Sequence, residues 1–336
     1  NLALGSPNVF EPGCAQCYLP RWTVANLMYG GADQSMADSS VLEPFKGLSP
    51  YEQAKGVQND TEMLVLWGAQ PSISQTAQSG RGMAELRARG CKTVVVDPNM
   101  SPDAVKATVW LRVRPGTDTA LVLSWYRYII ENKLYDEQFS QFFTNLPFVI
   151  NPDTNLPYKA TDVFPDFEQT TPDDTPAYVC YDRKTASLQP LEFGAIEDLA
   201  EKIDPELFWE GDVNGVQAFT AGQLYKKTAE PFTLEHAEQL TWVPAEQNEQ
   251  AILLYAQAKA AGIVHGVASD MQQVSSQMPL GLLGLDMMMG YVNKPGCTLT
   301  QNGGGKYDAP VGAPIERPTM YVNNFYGWMG RAMGIG

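Results

Sequence analysis

Several polar side chains that could hold a nucleotide follow short apolar runs of the chain. Neutral hydrogen-bonding groups near a helix start favour a phosphate, and a carboxylate after a strand suits a ribose hydroxyl. A glycine among them lets the backbone approach a ligand closely. The residues are Gly68, Gln70, Ser72, Asp97 and Asp118. Asp118 is a candidate acceptor for the amino and imino groups of guanine, or else a cap of the following helix.

The elements that must position these residues form a strand–helix–strand pattern. Met63–Trp67 and Thr93–Val96 are β-rich and too short for helices, and Ser74–Arg89 between them has the length of one helix. Such a unit makes the two strands parallel and buried. A third strand is predicted at Val109–Val113. The pattern indicates an α/β fold with a doubly wound, mainly parallel, Rossmann-like sheet, whose strand ends point loops at one ligand-binding edge.

The loops lack two common nucleotide-binding motifs. Neither GxGxxG nor GxxxxGK[ST] occurs, which disfavours an ordinary dinucleotide site and a P-loop. A plain α/β sheet with ordinary turns remains the alternative on this pattern alone.

Further along the chain the α/β pattern is interrupted and then resumes. Residues 147–192 are rich in proline and turn signals and predict a β-hairpin insertion, bridged by the acidic loop Glu168–Thr175. That loop lacks EF-hand spacing, so a solvated acidic loop is favoured over a calcium site. Pro244–Ala260 predicts an amphipathic helix and Ile263–Val267 a strand, so the loop His265–Asp270 is a second place to hold a ligand.

Composition excludes some classes of partner. The 336 residues carry a formal charge of −15 and 44% hydrophobic residues. This charge disfavours binding of nucleic acid or of an anionic membrane through a basic surface. No apolar run reaches the roughly 18 residues of a membrane span. The compartment stays open between cytoplasm and periplasm. The start without Met and the Gly-rich end are typical of a fragment.

Five motifs occur in order along the chain. They are WGAQP, VVVDPN, RPGTDTAL, the run TWVPAEQNEQAILLYAQAKAAGIVHG, and GYVNKPG followed by QNGGG. Together they resemble the motifs of the molybdopterin oxidoreductases of the DMSO reductase superfamily. The resemblance is greatest to the branch of acetylene hydratase, pyrogallol–phloroglucinol transhydroxylase and the catechol dehydroxylases. It implies a molybdenum or tungsten ion held by two molybdopterin guanine dinucleotides.

The resemblance assigns cofactor contacts to loop residues of this chain. Asp97 and Asp118 would belong to one guanosine site. His265–Asp270 and the polar loop from Gln301 would face the second dinucleotide, although the latter stretch is also typical of a linker. The cofactor-binding residues so implied are Trp67, Gly68, Gln70, Pro71, Ser72, Asp97, Pro98, Asn99, Gly116, Asp118, Gly266, Asp270, Gln301, Asn302 and Gly303.

Two further residues are candidates for the chemistry itself. Cys14 and Cys17 form a CxxC that by itself could be half a zinc site, a redox pair or two plain thiols. In the family a metal-bound residue precedes a helix and a glycine; Cys17 is in register with Gly30, so the resemblance makes Cys17 the metal ligand. His265 is a candidate catalytic residue, or a core histidine.

The resemblance implies the activity and the partners. Residues 1–301 would be the bis-pterin domain, and 302–336 the start of another. We expect the catalytic part of a molybdenum or tungsten enzyme that transfers oxo or hydroxyl groups, removes hydroxyls reductively or adds water to a small substrate. A [4Fe-4S] cluster is expected in a preceding segment, and an iron–sulfur subunit as electron partner. The alternatives are a thiosulfate, polysulfide or arsenate reductase, and a metal-free nucleotide-binding scaffold. The 336 residues alone are not expected to be a stable catalyst.

Overall fold

The computed structural model describes residues 61–74, 80–171, 176–266, 277–292 and 296–298, together with 268, 271 and 294. Several predicted positions lie outside these residues. They are Cys17, Asp270, Gln301, Asn302, Gly303 and the predicted domain limit at 301.

The described residues contain ten strands. In chain order these are β1 Met63–Trp67, β2 Lys92–Val96, β3 Val109–Leu111, β4 Val149–Asn151, β5 Leu156–Pro157, β6 Tyr178–Asp182, β7 Ser187–Leu191, β8 Glu210–Val213, β9 Val216–Thr220 and β10 Ala261–His265.

Eleven helices accompany these strands in the same part of the chain. They are α1 Pro71–Ser74, α2 Arg81–Ala88, α3 Pro102–Val105, α4 Asp118–Glu131, α5 Glu137–Phe143, α6 Ala160–Val163, α7 Ile196–Lys202, α8 Ala221–Ala229, α9 Leu234–Thr241, α10 Ala245–Ala256 and α11 Gln277–Met288. None of these helices has the length and apolar character needed to cross a membrane.

The chain divides into two compact units. Among the described residues, the first unit holds those up to Thr119, those within Ala258–Leu283 and those from Val292 onward; the second holds those within Ala120–Gln257 and Gly284–Tyr291.

A four-stranded parallel sheet is the centre of the first unit. Its strand order is β10-β1-β2-β3, and all three neighbouring pairs run parallel. Every residue of β1 and of β10 is buried, which explains why both read as continuous apolar runs. The predicted parallel α/β fold is therefore confirmed.

Strand alternation divides the side chains of this sheet between two faces. Leu66 pairs in register with Val95 and with Val264, so these three share a face, where they form a core with Met83 and Leu86 of α2. On the opposite face lie Trp67, Val96, Leu111 and His265, the last residues of the four strands. The sheet thus ends in an aligned row of strand termini.

The second unit is built on antiparallel sheets. One has the order β5-β4-β9-β8 and the other is the β6–β7 hairpin. The predicted insertion therefore contains antiparallel strands, but its first strand, β4, pairs with β9 as well as with β5, and β9 lies beyond the predicted limit of the insertion. Its two halves are joined by the bridge between Lys159 and Tyr178 and by a shared buried cluster that contains Val149 and Val179. Pairing between distant segments leaves no local sequence signal.

Candidate functional site

The loops after β1, β2 and β10 lie side by side at the carboxyl edge of the parallel sheet. The backbone N–H of Gly68 donates to the carbonyl of Val96 (2.8 Å), and the N–H of Gly266 donates to the carbonyl of Trp67 (2.9 Å). These bonds continue the strand pairing one residue beyond the strand ends. The sheet edge is where open α/β folds bind ligands, and it is the edge that the sequence predicted.

Two glycines make this close packing of loops possible. Gly68 adopts a φ of +58°, which a residue with a side chain rarely tolerates. A Cβ at Gly266 would overlap the carbonyl oxygen of Gly68 and lie 3.1 Å from the Cα of Ala69. Gly266 therefore allows the β10 loop to lie against the β1 loop.

Asp97 is a nearly buried carboxylate directly after β2. It is 4% exposed. Its Oδ2 accepts a bond from the Gln70 side-chain amide (3.1 Å), and its Oδ1 accepts one from the backbone N–H of Asn99 (2.8 Å). The Trp110 indole donates to the Asp97 carbonyl (2.8 Å). A carboxylate offers about four acceptor positions, so these bonds fix the group and leave acceptor capacity for a ligand.

Asp118 is held at the same edge through β1. It is the first residue of α4 and is 7% exposed, and its Oδ1 accepts a bond from the Trp67 indole N–H (2.9 Å). Trp67 pairs in register with Val96, the residue before Asp97. Both carboxylates thus stand at the carboxyl ends of neighbouring strands. Their joint role in binding guanosine remains a prediction.

A third carboxylate, which sequence reasoning missed, fixes the loop after β1. Asp103 of α3 is fully buried and accepts bonds from the Ser72 backbone N–H (3.1 Å), the Ser72 hydroxyl (2.6 Å) and the Arg87 guanidinium (3.0 Å). In the sequence it follows Ser101 and Pro102 and resembles an ordinary acidic first turn of a helix. Ser101 does cap α3, through the N–H of Ala104, but Asp103 faces inward.

The remaining predicted site residues differ in accessibility. Pro71 is buried where α1 begins, whereas Pro98 and Asn99 are exposed beyond β2. Gly116 is exposed, with a φ of +82° and open space around its Cα. His265 ends β10 and is 1% exposed. Its catalytic role remains a prediction, because an imidazole so placed reaches a substrate only if the residues over it move.

The family profile described as molybdopterin oxidoreductase matches residues 24–302. The chain belongs to the molybdopterin oxidoreductase family. The matched range includes the parallel sheet and all of the edge loops described above.

Individual members of the family match shorter stretches. Dopamine dehydroxylase of Eggerthella lenta is 38% identical over 89 residues, which are 26% of this chain and 9% of that protein. Perchlorate reductase subunit alpha of Dechloromonas aromatica is 29% identical over 167 residues, 45% of this chain and 18% of that one. Acetylene hydratase of Syntrophotalea acetylenica is 47% identical over 80 residues, which are 24% of this chain and 11% of that protein. The matches therefore span less than a fifth of each relative.

Membership of this family implies a molybdopterin cofactor, and the edge residues suit the nucleotide end of such a group. Asp97 retains acceptor positions, Gln70 is a half-buried amide beside it, and Asn99 is exposed. Arg112 and Arg114, which follow β3, are exposed cations in a chain of net charge −15. Acceptors for hydroxyls and donors for phosphates thus lie on adjoining strand ends.

Two of the three described cysteines, Cys91 and Cys180, do not have the properties of metal ligands. Burial raises the pKa of the Cys91 thiol to about 11 and that of Cys180 to about 12, so both are protonated near neutral pH and poor as thiolates. Within the described ranges, no three His, Cys, Asp or Glu side chains stand close enough together to hold a metal. The predicted ligand, Cys17, lies outside these ranges.

Proposed function

We propose that the carboxyl edge of the parallel sheet binds the guanosine end of a molybdopterin guanine dinucleotide, with Asp97 as acceptor for the ribose hydroxyls. The observation that carries this proposal is the Asp97 carboxylate, which two donors orient and which retains acceptor positions. Pockets that bury a ligand use a few directed polar groups of this kind to fix its orientation.

The remaining edge residues would complete the nucleotide contact. Asp118, oriented by Trp67, would accept from guanine, while Gly68 and Gly116 let backbone approach the ligand. The exposed Arg112 and Arg114 would neutralise the diphosphate. Pro71, Ser72, Pro98, Gly266, Asp270, Gln301, Asn302 and Gly303 would line the two dinucleotides as the family resemblance implies.

The protein containing this chain would act as a molybdenum or tungsten enzyme. When bound, the metal group supplies oxo or hydroxyl transfer, reductive dehydroxylation or hydration of a small molecule. Cys17 would bind the metal, and His265 would move a proton at the substrate if it becomes accessible. Similarity to a dopamine dehydroxylase and an acetylene hydratase favours these reactions over a thiosulfate, polysulfide or arsenate reductase.

Electron supply would lie outside this chain. A [4Fe-4S] cluster and an iron–sulfur subunit would carry the electrons; the subunit alpha of a perchlorate reductase among the relatives supports only the presence of a partner subunit.

The test is cofactor content of the full-length protein and of Asp97→Asn. We expect molybdenum or tungsten, and guanine nucleotide released on acid hydrolysis, in the unmodified protein. Asp97→Asn should retain the cofactor about ten- to a hundredfold less firmly, since hydrogen bonds to a charged group contribute roughly 1.5–3 kcal/mol. Asp153→Asn, at an exposed turn, is the matched control and should leave the metal and guanine nucleotide content unchanged.

Two results would count against the proposal. Undiminished guanine nucleotide in Asp97→Asn would show that Asp97 does not hold the ribose. Absence of molybdenum and tungsten from an intact full-length preparation would instead favour the metal-free scaffold. Cys17→Ala, which removes the ligand atom, should lower metal content without removing guanine nucleotide in proportion.

A further inference from the structure

A buried carboxylate and a buried phenol form a pair in the second unit that the proposed cofactor site does not use. The hydroxyl of Tyr255 on α10 donates to Oδ1 of Asp286 on α11 over 2.7 Å, and both residues are 0% exposed. Burial of a carboxylate is unfavourable without a donor, so a structural role as a link between two helices explains part of this arrangement.

Aromatic rings surround the pair. The ring of Tyr255 lies 5.6 Å from that of Trp125 and 5.3 Å from that of Tyr291, centroid to centroid. The rings of Tyr126 and Tyr225 stack with their centroids 5.7 Å apart. Of these five aromatic residues Tyr225 is half-buried and the other four are buried. Contacts of this size are ordinary core packing for aromatic residues, but they also place several oxidisable rings next to one another.

Two of the neighbouring rings, Trp125 and Tyr291, donate their protons to neutral acceptors and not to a carboxylate. The Trp125 indole donates to the neutral side-chain amide of Asn248 (2.9 Å), and the Tyr291 hydroxyl donates to the backbone carbonyl of Tyr255 (2.9 Å). A carboxylate is a far stronger base than an amide oxygen. Proton transfer requires donor and acceptor within about 2.6–3.2 Å, a condition that the Tyr255–Asp286 pair meets.

We propose that the Tyr255–Asp286 pair is a redox-active site that holds a one-electron oxidation as a neutral tyrosyl radical. Tyr255 gives one electron to a metal complex that acts as an outer-sphere, one-electron oxidant. The oxidation state of that metal falls by one. The phenol proton moves at the same time to Oδ1 of Asp286, leaving a Tyr255 oxygen radical and a protonated Asp286. Reduction by one electron returns the proton to Tyr255.

The surroundings suit such a site in two further ways. Burial, followed by the charge of Asp286 and the hydrogen bond to it, raises the pKa of Tyr255 well above its usual range, so the phenol carries its proton at rest. Full burial keeps water and dissolved reductants from the radical, which lengthens its lifetime. The half-buried Tyr225, stacked on Tyr126, is the member of the cluster through which a surface oxidant would first act.

A matched pair nearer the surface provides the control. The Tyr128 hydroxyl donates to Oε1 of Glu249 over 2.7 Å, and both residues are half-buried. The chemistry of the two pairs is the same, and they differ in exposure to water. A radical on Tyr128 would therefore form but decay quickly.

The experiment is photo-oxidation of the full-length protein with ruthenium(II) tris-bipyridine and a cobalt(III) electron acceptor, followed by electron paramagnetic resonance. We expect a long-lived neutral tyrosyl signal in the unmodified protein. Tyr255→Phe, which removes only the hydroxyl, should lose this signal, and Tyr128→Phe should retain it. Asp286→Asn should lose it as well, because an amide does not take the proton.

A long-lived signal that survives Tyr255→Phe in a protein of native circular dichroism overturns the proposal, and so does the absence of such a signal from the unmodified protein. If Asp286→Asn does not fold, the rate of radical formation in heavy water decides, since coupled proton transfer slows it. Equal rates in light and heavy water would exclude transfer to Asp286.

Discussion

Asp103 is expected to hold the loop after β1 in place, and Asp103→Asn tests this. The carboxylate is 0% exposed and accepts from the Ser72 N–H, the Ser72 hydroxyl and Arg87. Asparagine has nearly the same shape but carries no charge, and its NH2 group cannot accept a hydrogen bond. The variant therefore leaves at least one donor facing another donor, with the Arg87 cation uncompensated.

The size of the effect follows from burial. Removing one partner of a buried ion pair destabilises by about 3–5 kcal/mol. The Arg87 side chain is 19% exposed, so water replaces part of the lost interaction, and we expect about 2–4 kcal/mol. If local opening around Ser72 becomes easier by this free energy, the Ser72 amide hydrogen exchanges roughly thirty- to several-hundredfold faster.

Hydrogen exchange followed by mass spectrometry on the full-length protein measures this directly, in peptides that contain Ser72. Asp153→Asn, at an exposed turn, is the control and should leave exchange unchanged. Removing both charges in Asp103→Asn with Arg87→Met should restore part of the protection, because the uncompensated cation is gone. Unchanged exchange at Ser72 in Asp103→Asn would refute the reasoning.

Three further predictions concern packing and protonation, each measured by chemical denaturation of the full-length protein. Gly266→Ala should destabilise by about 1–3 kcal/mol through overlap with neighbouring backbone, and Gly116→Ala, in open space, by about 1 kcal/mol through its positive φ alone; equal effects would contradict this. Trp67→Phe should destabilise the protein by about 1.5–3 kcal/mol, because Asp118 loses a buried hydrogen-bond donor. If Asp118→Asn destabilises the unmodified protein and the Trp67→Phe variant by the same amount, the two side chains do not interact and this prediction is wrong. Burial raises the pKa of Cys180 from 9.0 to about 12. The stability that comes from keeping this thiol protonated in the folded protein is therefore fully present below pH 9 and is lost as the pH rises towards 12. Cys180→Ala should remove that part of the loss of stability at alkaline pH.

The parallel sheet was predictable because its signal is local. The predicted strand Met63–Trp67 has the observed limits, and the strand predicted at Thr93–Val96 begins one residue earlier in the structure. Both are β-rich runs buried on both faces, with turn residues directly after them. The helix predicted at Ser74–Arg89 is described in two parts, Pro71–Ser74 and Arg81–Ala88.

The second unit was less predictable because its pairing is not local. The hairpin β8–β9 was not predicted, although Asn214 and Gly215 at its turn have φ values of 52° and 86°, the signature of a tight hairpin turn. Its strands are short and largely exposed, so they lack the alternating apolar pattern. Partnership of β9 with β4 depends on packing between distant segments.

The candidate site was predictable in position but not in the bonds that hold it. A carboxylate directly after a parallel strand predicts a ligand contact at Asp97. That rule does not predict the hydrogen bond that the Gln70 side-chain amide donates to Asp97. Asp103 was missed because burial of its side chain depends on Ser72 and Arg87, which are remote in sequence. Side-chain contacts between loops are decided by the assembled sheet.

The arrangement of carboxylates at the sheet edge argues for a binding surface formed before its ligand arrives. Asp97, Asp103 and Asp118 are each less than a tenth exposed, and each accepts a bond from a side chain in a different segment of the chain. Burying a charge is unfavourable unless donors compensate it, so the donors must hold their positions whether or not a nucleotide is present. A ligand that binds such an edge does not have to order the loops, which preserves affinity that ordering would otherwise consume. Of these donors only Arg87 is a cation, so it offsets the charge of Asp103 alone; under the proposed function, the exposed Arg112 and Arg114 would set the local charge that an incoming diphosphate meets first.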